Sequence, residues 1–219
     1  MGEEALLHAP LSYHDVYLYA EDASLVLGAH WWNDQVIAFA FEWLKFQVPC
    51  PSPIVAIPAA ACFLLLHSDA QTVREQLEQM QVHAASGLLL AVNDSTSLES
   101  AGGGTHWSLL AVALDQGSAW HVDSLGGANR RVAQALTRKL AAGLDRHLAL
   151  HPAPAAPQQT NGYDCGACTV SAAQALWRCP VADWRPPLRC LQRAAGAQAM
   201  RREVAAWVRL AVGGTLEKE

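Results

Sequence analysis

The chain has 219 residues, 52% of them hydrophobic and 16% charged, which is enough to bury a sizeable core, and we expect one domain over residues 1–219. Its net charge of −5 disfavours nucleic acid or an anionic membrane surface as the main partner. The sequence shows neither a signal-peptide pattern nor an apolar run long enough to span a bilayer, so we expect a soluble protein of the cytoplasm or nucleus.

Six cysteines are spread over the chain, namely Cys50, Cys62, Cys165, Cys168, Cys179 and Cys190. In a small secreted protein this number would suggest a disulfide framework. This chain is larger and shows no secretion signal, so we expect reduced thiols.

The first half of the chain alternates between helix and strand signals. Residues 11–28 alternate weakly, and we expect an irregular or strand-like lead-in there. Asn33 is a good helix N-cap, and Pro49 ends the helical pattern that follows it. Further helices are predicted at 59–66 and 71–83, and the apolar run GLLLAVN predicts a buried strand at Gly87–Asn93.

The second half is predicted to contain a hairpin and three helices. The hairpin pairs residues 106–114 with 119–124 around a turn at 115–118. Helical spacing returns from Val132 with Leu136, Leu140, Leu144 and Leu148, and a proline- and alanine-rich linker follows at 151–158. A helix then runs to about Arg178, and the last helix places inward Met200, Val204, Trp207, Val208 and Ala211. We therefore expect an α+β fold, with helices around a small mixed β-sheet and a frayed tail at 213–219.

Cys165 lies where a turn meets an alanine-rich segment, in QQTNGYDCGACTV at residues 158–170. The pattern predicts the thiol at a helix N-terminus, where unpaired N–H groups and the helix dipole favour an anion and lower the pKa of a thiol. The same N–H groups, helped by the amide of Gln159, could stabilise an oxyanion. An ordinary buried cysteine under a helix start remains the alternative.

A catalytic thiolate needs a histidine and a group that orients it. His106 follows three glycines, which permit close approach of a substrate, and it opens a predicted strand. Asp123 ends the next strand, 123 − 106 = 17 residues later. The predicted turn would pair Asp123 with Leu110, about 13 Å from the histidine, so a bulge or stagger would be required. His121 is the rival base.

Five sequence blocks, taken in order, resemble the Ulp/sentrin-specific family of cysteine proteases, which process and remove ubiquitin-like modifiers. The blocks are WWND at 31–34, AVNDS at 91–95, AGGGTHWSLL at 101–110, VDS at 122–124 and QQTNGYDCG at 158–166. The resemblance covers about residues 10–210 and is closest to the deneddylase branch, which acts on the Nedd/Rub modifier of cullins. It implies a papain-like α+β fold and a triad of Cys165, His106 and Asp123, with Gln159 in the oxyanion hole.

The resemblance also implies a set of substrate contacts. Trp31 and Trp107 would clamp the Gly-Gly tail of the modifier, because only residues without a Cβ fit between two indoles. Asp34 would meet a basic residue of the tail, and Asn93 is a further substrate-binding candidate. The implied partner is a ubiquitin-like modifier, of the Nedd/Rub type or alternatively SUMO, acted on by a monomer without metal or cofactor.

The chain departs from the family pattern at two places. Trp32 stands where the family usually has leucine, and Ala167 and Cys168 replace an aliphatic–aromatic pair after C-G. Cys165 and Cys168 also form a C-x-x-C pair, which is typical of thiol redox proteins, and the second thiol could capture an oxidised first one as a disulfide. The cysteines could also indicate a zinc module, although those outside this pair lack the usual spacing, and the chain could be a catalytically silent modifier-binding protein.

Overall fold

The computed structural model describes residues 10–95, 103–153, 156–186 and 188–216. Short strands and longer helices follow one another in the order β1 (Leu11–Tyr13), β2 (Val16–Leu18), α1 (Ala20–Leu27), α2 (Asp34–Gln47), β3 (Ile54–Ile57), α3 (Ala59–His67), α4 (Ala70–Gln79), β4 (Gly87–Asn93), β5 (Trp107–Ala113), β6 (Ser118–Val122), α5 (Arg130–Leu144), β7 (Ala149–Pro152), α6 (Cys165–Trp177) and α7 (Ala197–Leu216). Turns of 3₁₀ helix lie at Val82–Ala84, Leu114–Gln116, Val181–Asp183 and Arg189–Arg193.

Strands β3 to β7 form one five-stranded mixed sheet in that order. The pairs β3–β4 and β6–β7 are parallel, whereas β4–β5 and β5–β6 are antiparallel. Strands β4 and β5 are buried along nearly their whole length, which is why both sequences are largely apolar. Strands β1 and β2 form a separate antiparallel pair.

Helices cover both faces of the five-stranded sheet. Along β5, Leu109 and Ala111 belong to a core shared with α2, α6 and α7, whereas Leu110 and Val112 belong to a core shared with α3, α4 and α5. This arrangement confirms the predicted α+β fold class. Among the described helices, none is long and apolar enough to cross a bilayer.

Helix α6 runs through the middle of the first of these cores, and all 13 of its residues are buried. The backbone of Gly166 passes so close to Trp32 that a Cβ at that glycine would lie 2.9 Å from the Cβ of the tryptophan. Trp32 is fully buried, and its Nε1 donates to the Leu25 carbonyl at 3.1 Å. The core therefore accommodates a tryptophan at position 32, where the family usually has leucine. The contact of Trp32 with Gly166 joins the start of α6 to the segment before α2.

Several predicted elements are confirmed by the structure. Helix α2 begins after Asn33, whose side chain accepts a hydrogen bond from the Val36 N–H at 3.1 Å. Strand β4 has the predicted bounds. The apolar positions predicted to face inward on the last helix are all buried, namely Met200, Val204, Trp207, Val208 and Ala211.

The structure also corrects several expectations. The lead-in contains helix α1 between β2 and α2, and the third predicted helix ends at Gln79 before a 3₁₀ turn. The edge strands β3 and β7 are four residues long and only partly buried. Their sequences therefore show no clear alternation of apolar and polar residues. Strand β7 takes up the start of the predicted linker, of which residues 154–155 lie outside the described residues. Helix α7 extends to Leu216, and 217–219 lie outside the described residues, so a frayed tail at 213–219 stays a prediction.

The β5–β6 hairpin turns earlier than predicted. Its connection is a 3₁₀ turn closed by a glycine with a φ of 59°, a conformation that glycine adopts without steric cost. Val122 therefore pairs with Leu109, and the same register sets Asp123 opposite Ser108. This register moves the carboxylate two positions nearer to His106, so the bulge that we expected is not needed.

Cys179 and Cys190 are joined by a disulfide, which corrects the expectation that all cysteines are reduced. The chain turns back after α6 and brings the two Cα atoms to 6.3 Å although 11 positions separate them in sequence. This separation lies within the usual range for disulfides. Free thiols remain at Cys50, Cys62, Cys165 and Cys168.

Candidate active site

Three chain segments meet at one end of the central sheet. His106 immediately precedes β5, Asp123 immediately follows β6, and Cys165 is the first residue of α6, which packs on β5. All three residues are buried, with exposed fractions of 4%, 6% and 0%. The fold thus brings together the thiol, the imidazole and the carboxylate that the sequence singled out.

The imidazole of His106 contacts both other groups. Its Nε2 lies 2.7 Å from Asp123 Oδ1, and the ring also forms a hydrogen bond with Cys165. Because Nε2 is engaged by the carboxylate, Nδ1 is the ring nitrogen left for the thiol. Burial lowers the pKa of His106, but the hydrogen bonds and charges of Asp123 and Cys165 outweigh it and raise that pKa to about 9. A protonated imidazole at neutral pH can hold a thiolate as an ion pair.

Asp123 is held as an anion. Its Oδ1 accepts the Leu125 N–H at 2.8 Å, and its Oδ2 accepts the Asn129 N–H at 3.0 Å. Burial raises the pKa of Asp123, but the hydrogen bonds from His106 and from these two N–H groups bring the pKa below its usual value. The carboxylate therefore stays ionised and fixes the orientation of the imidazole.

The backbone of His106 is held from both sides by residues that sequence reasoning missed. Asp94 Oδ1 accepts the His106 N–H at 3.0 Å. Asn129 Nδ2 donates to the His106 carbonyl at 3.1 Å and to the Val92 carbonyl at 3.2 Å. Asp94 lies inside the AVNDS block, and its place in that block could have identified it. Asn129 directly precedes α5, where an asparagine resembles an ordinary helix cap.

His121 contacts the other carboxylate oxygen of Asp123. Its Nε2 is 3.5 Å from Asp123 Oδ2 and 3.0 Å from Ser108 Oγ. Burial lowers the pKa of His121, and although Asp123 opposes this, the ring is neutral at pH 7. The hydrogen bond to Cys165 is made by His106, so the geometry favours His106 over His121 as the partner of the thiol.

The side chain of Gln159 bridges the end of β6 and the nucleophile loop, which we define as residues 158–164. Its Oε1 accepts from Ser124 Oγ at 2.7 Å, and its Nε2 donates to the Asn161 carbonyl at 2.6 Å. An amide carries two N–H groups, so one donor remains for an oxyanion. The neighbouring Gln158 donates to the Asp123 carbonyl at 3.0 Å and anchors the same loop.

Trp31 and Trp107, the expected walls of a substrate channel, stack on each other. Their ring centroids are 5.6 Å apart, and the rings are inclined by 23°. Trp107 is only 3% exposed, and its Nε1 donates to the Trp32 carbonyl at 2.7 Å. Trp31 is partly exposed, and its Nε1 has no hydrogen-bond partner in the part of the chain that the structure describes. Of the two rings, Trp107 is therefore the more firmly held.

The two other predicted substrate contacts lie in different surroundings. Asp34 is exposed in the first turn of α2, three residues after Trp31. Asn93 pairs with Trp107 across β4 and β5. Its side chain packs so tightly against Gly104 that a Cβ there would lie 1.8 Å from Asn93 Oδ1, and this glycine also has a φ of +103°. Asn93 thus packs against the backbone at Gly104, two residues before His106.

Cys168, the second member of the C-x-x-C pair, is engaged elsewhere. Its thiol forms a hydrogen bond with Ser124, and burial raises the pKa of Cys168 to about 11. Such a thiol is rarely a thiolate at neutral pH, which argues against a redox pair. In the described ranges, no group of three or more His, Cys, Asp or Glu side chains could hold a metal ion.

The arrangement suits nucleophilic attack on a carbonyl carbon. The thiol stands at the start of a helix, where N–H groups without intrahelical partners can bind an oxyanion. The imidazolium beside it can give a proton to a leaving group. Asp123 holds that imidazole in one orientation.

The sequence is similar to those of known proteins. Residues 99–206 match the profile of the Ulp1 protease family, C-terminal catalytic domain. Sentrin-specific protease 8 of Homo sapiens is 35% identical over 173 residues, which cover 76% of this chain and 80% of that protein. NEDD8-specific protease 1 of Arabidopsis thaliana is 32% identical over 168 residues, which cover 76% of this chain and 74% of that protein.

Solved structures share the fold at lower sequence identity. The Ulp1 protease domain in complex with Smt3, the yeast orthologue of SUMO, matches with a TM-score of 0.67 and 20% identity over 96% of this chain and 92% of that one. A de-sumoylating protease matches with a TM-score of 0.71 and 14% identity over 95% and 93%. From its curated relatives, its sequence blocks and its fold, we conclude that this chain belongs to the Ulp1 family of cysteine proteases, close to the deneddylase branch.

Proposed function

We propose that this protein is a deneddylase, which cleaves the peptide or isopeptide bond after the C-terminal Gly-Gly of a Nedd/Rub-type modifier. As a member of the Ulp1 family, it is a cysteine protease that acts on ubiquitin-like modifiers. The observation that carries the proposal is the hydrogen-bonded line from Asp123 through His106 to Cys165 at the start of α6.

In this proposal Cys165 is the nucleophile and His106 the acid and base. The thiolate attacks the carbonyl carbon of the last glycine, and His106 gives its proton to the departing amine as the C–N bond breaks and a thioester forms. Water then attacks the thioester carbonyl carbon and loses one proton to His106, and the C–S bond breaks. The carboxyl group of the released modifier loses the second proton to solvent and becomes a free carboxylate. The thiolate and the imidazolium are restored, and Asp123 keeps the ring oriented throughout.

The oxyanion formed in both steps needs donors near Cys165. The backbone N–H groups of the first turn of α6 are suitable, because a helix N-terminus leaves them without intrahelical partners. The free N–H of the Gln159 amide is a further donor, held in place by the bonds of that amide to Ser124 and Asn161. Together these groups supply the electrostatic stabilisation that acyl transfer requires.

The relatives support the Nedd/Rub modifier ahead of SUMO. The four relatives with 32–35% identity are named sentrin-specific protease 8 or NEDD8-specific protease. The SUMO proteases among the solved structures share only 14–21% identity, which supports the fold alone. SUMO is therefore the second candidate.

Three matched substrates test the choice of modifier. Each carries a C-terminal aminocoumarin, on the Nedd/Rub modifier, SUMO or ubiquitin, and kcat/KM is measured for each. We expect the Nedd/Rub substrate to lead by roughly tenfold or more, which is about 1.4 kcal/mol of discrimination. A lead for SUMO would replace the deneddylase proposal with the SUMO alternative, and a lead for ubiquitin would contradict both.

The pH dependence of cleavage should report the ion pair. Because the pKa of His106 is raised to about 9, the imidazolium persists below that pH and is lost as pH rises through it, so kcat/KM should fall on the basic side near pH 9. In Asp123→Asn the anionic partner that raises this pKa is gone. The basic limb should then move to lower pH by about one to three pH units, the usual effect of a close opposite charge.

The control for this profile is Asp115→Asn, which changes an exposed acid in the hairpin turn. The basic limb of its pH profile should coincide with that of the wild type. If the basic limb of Asp123→Asn coincides with that of the wild type, Asp123 does not set the pKa of the catalytic histidine.

The indoles of Trp31 and Trp107 stack on each other, so the proposed tail channel is closed in this structure. A peptide backbone between two rings needs a van der Waals contact of about 3.5 Å on each side, or about 7 Å between the ring planes. The centroids of Trp31 and Trp107 are only 5.6 Å apart, so one ring must move before a tail can enter. Trp31 is the partly exposed ring, and its unpartnered Nε1 could then donate to a carbonyl of the tail.

We therefore expect Trp31→Ala to relax the demand for glycine. Without this indole a Cβ on the last residue of the tail has room, so the ratio of kcat/KM for a Gly-Gly substrate to that for a Gly-Ala substrate should fall by about tenfold or more. Trp31→Phe keeps a flat ring and should keep the wild-type ratio. An unchanged ratio in Trp31→Ala would show that this residue does not form the channel. Trp107 is less suited to the test because its removal would also leave a cavity in the core.

A further inference from the structure

Arg201 lies on α7, remote in sequence from the catalytic residues, and is buried with only 4% exposed. A guanidinium carries five N–H donors in a fixed planar fork. All five are used here: Nε donates to Asp164 Oδ1 at 2.7 Å, Nη1 to the carbonyls of Leu25 at 3.3 Å and Gly28 at 2.9 Å, and Nη2 to the carbonyls of His30 at 2.7 Å and Tyr163 at 3.0 Å.

These acceptors come from two segments, each of which adjoins a proposed site residue. One group lies within residues 25–30, which lead directly to Trp31. The other group lies at residues 163–164, which lead directly to Cys165. A single rigid side chain therefore connects the wall of the proposed tail channel to the nucleophile.

The surroundings of the guanidinium fix its plane. It lies over the ring of Trp32 at 5.2 Å and over the ring of Tyr163 at 5.4 Å. Asp164, 5% exposed, supplies the opposite charge that a buried cation needs. Lysine could keep the charge but could not reproduce the planar five-donor fork.

We propose that Arg201 is a positioning residue, which sets the distance between the Trp31 wall and the Cys165 thiol and so aligns a bound tail for attack. The proposal rests on the proposed function, because it takes Trp31 as a wall of the tail channel. Cleavage requires the reacting atoms to be held near attack distance, and a shift of about 1 Å can cost about 10²-fold in rate. Arg201 acts through the two segments that it joins and touches no reacting atom.

The test compares Arg201→Lys with Val204→Ala, a substitution in the buried face of the same helix that contacts neither segment through a polar group. Cleavage of the Nedd/Rub aminocoumarin substrate is measured well below the melting temperature of each variant. We expect Arg201→Lys to lose about 10²-fold in kcat with little change in KM, because the surface for the body of the modifier is untouched. Val204→Ala should lower the melting temperature and leave kcat near the wild-type value.

Hydrogen exchange gives a second readout that needs no modifier. In Arg201→Lys, the amides of residues 28–31 and 163–166 should exchange faster, while those of β4 and β5 should keep their protection. If wild type cleaves no modifier substrate, the proposed function fails, and the exchange pattern still decides the role of Arg201. If Arg201→Lys does not fold, Asp164→Asn takes its place, because it removes the charge partner of the guanidinium and keeps an acceptor of the same size.

The proposal is overturned by either of two results. One is a kcat for the Arg201→Lys variant, or for Asp164→Asn in its place, close to that of the wild type or lowered only as much as in Val204→Ala. The other is an exchange pattern that is unchanged at both segments or raised equally across the sheet, which is what a general loss of stability would give.

Discussion

Replacing Cys165 with alanine should abolish cleavage while leaving binding of the modifier measurable. The substitution removes only a sulfur atom from a buried position, so the fold and the surface for the modifier should persist. Without a nucleophile no thioester can form, and loss of the nucleophile from a comparable triad costs on the order of 10⁶ in kcat. Single-turnover cleavage and equilibrium binding of the Nedd/Rub modifier measure the two effects separately.

The matched control is Cys168→Ala, which removes the other free thiol of α6. Cys168 faces Ser124, and its raised pKa makes it a poor nucleophile, so this variant should keep most of the activity. Residual turnover near the wild-type level in Cys165→Ala, or a greater loss in Cys168→Ala, would contradict the assignment of the nucleophile.

Loss of the base should be the second large effect. His106→Ala removes the only group that hydrogen bonds with both Asp123 and Cys165 within the described residues, so the thiolate loses its partner and the leaving amine its proton donor. General acid–base catalysis contributes typically about 10²–10⁴-fold, and we expect a fall in kcat of at least this size. The measurement is kcat at saturating Nedd/Rub substrate.

His121→Ala is the control, because His121 is a buried histidine that contacts the same carboxylate from its other oxygen. Its ring is bonded to Ser108 and is neutral at pH 7, so its loss should change kcat little. The opposite ranking of the two histidine variants would mean that His121 is the base.

The fold could be predicted where local signals are strong. Asn33 caps α2 with a side-chain hydrogen bond, and the apolar run of β4 is buried, so each element follows from its own sequence. The edge strands β3 and β7 are short and partly buried, and they exist because β4 and β6 offer partners for them. Pairing of this kind depends on tertiary context, which local patterns do not contain.

The residue types of the candidate site could be predicted from the sequence, but the pairing of the strands that brings them together could not. The distance from His106 to Asp123 depends on one glycine that takes a positive φ in the hairpin turn, and a symmetric turn gives the wrong pairing. The supports of the site come from distant positions. In the sequence, Arg201 cannot be distinguished from the other basic residues of the last helix. Only the folded chain shows that it binds the segments beside Trp31 and Cys165.

The most direct measurement of the central claim uses a Nedd/Rub modifier whose C-terminal carboxylate is replaced by an electrophile. Intact mass and peptide mapping after reaction should show one modifier joined to the protein through Cys165, and His106→Ala should slow this labelling. The unmodified modifier, added in excess, should compete with the probe. Labelling at another cysteine, or no labelling by this probe while the Cys165 thiol is free, would contradict the claim that Cys165 is the nucleophile of a protease for this modifier.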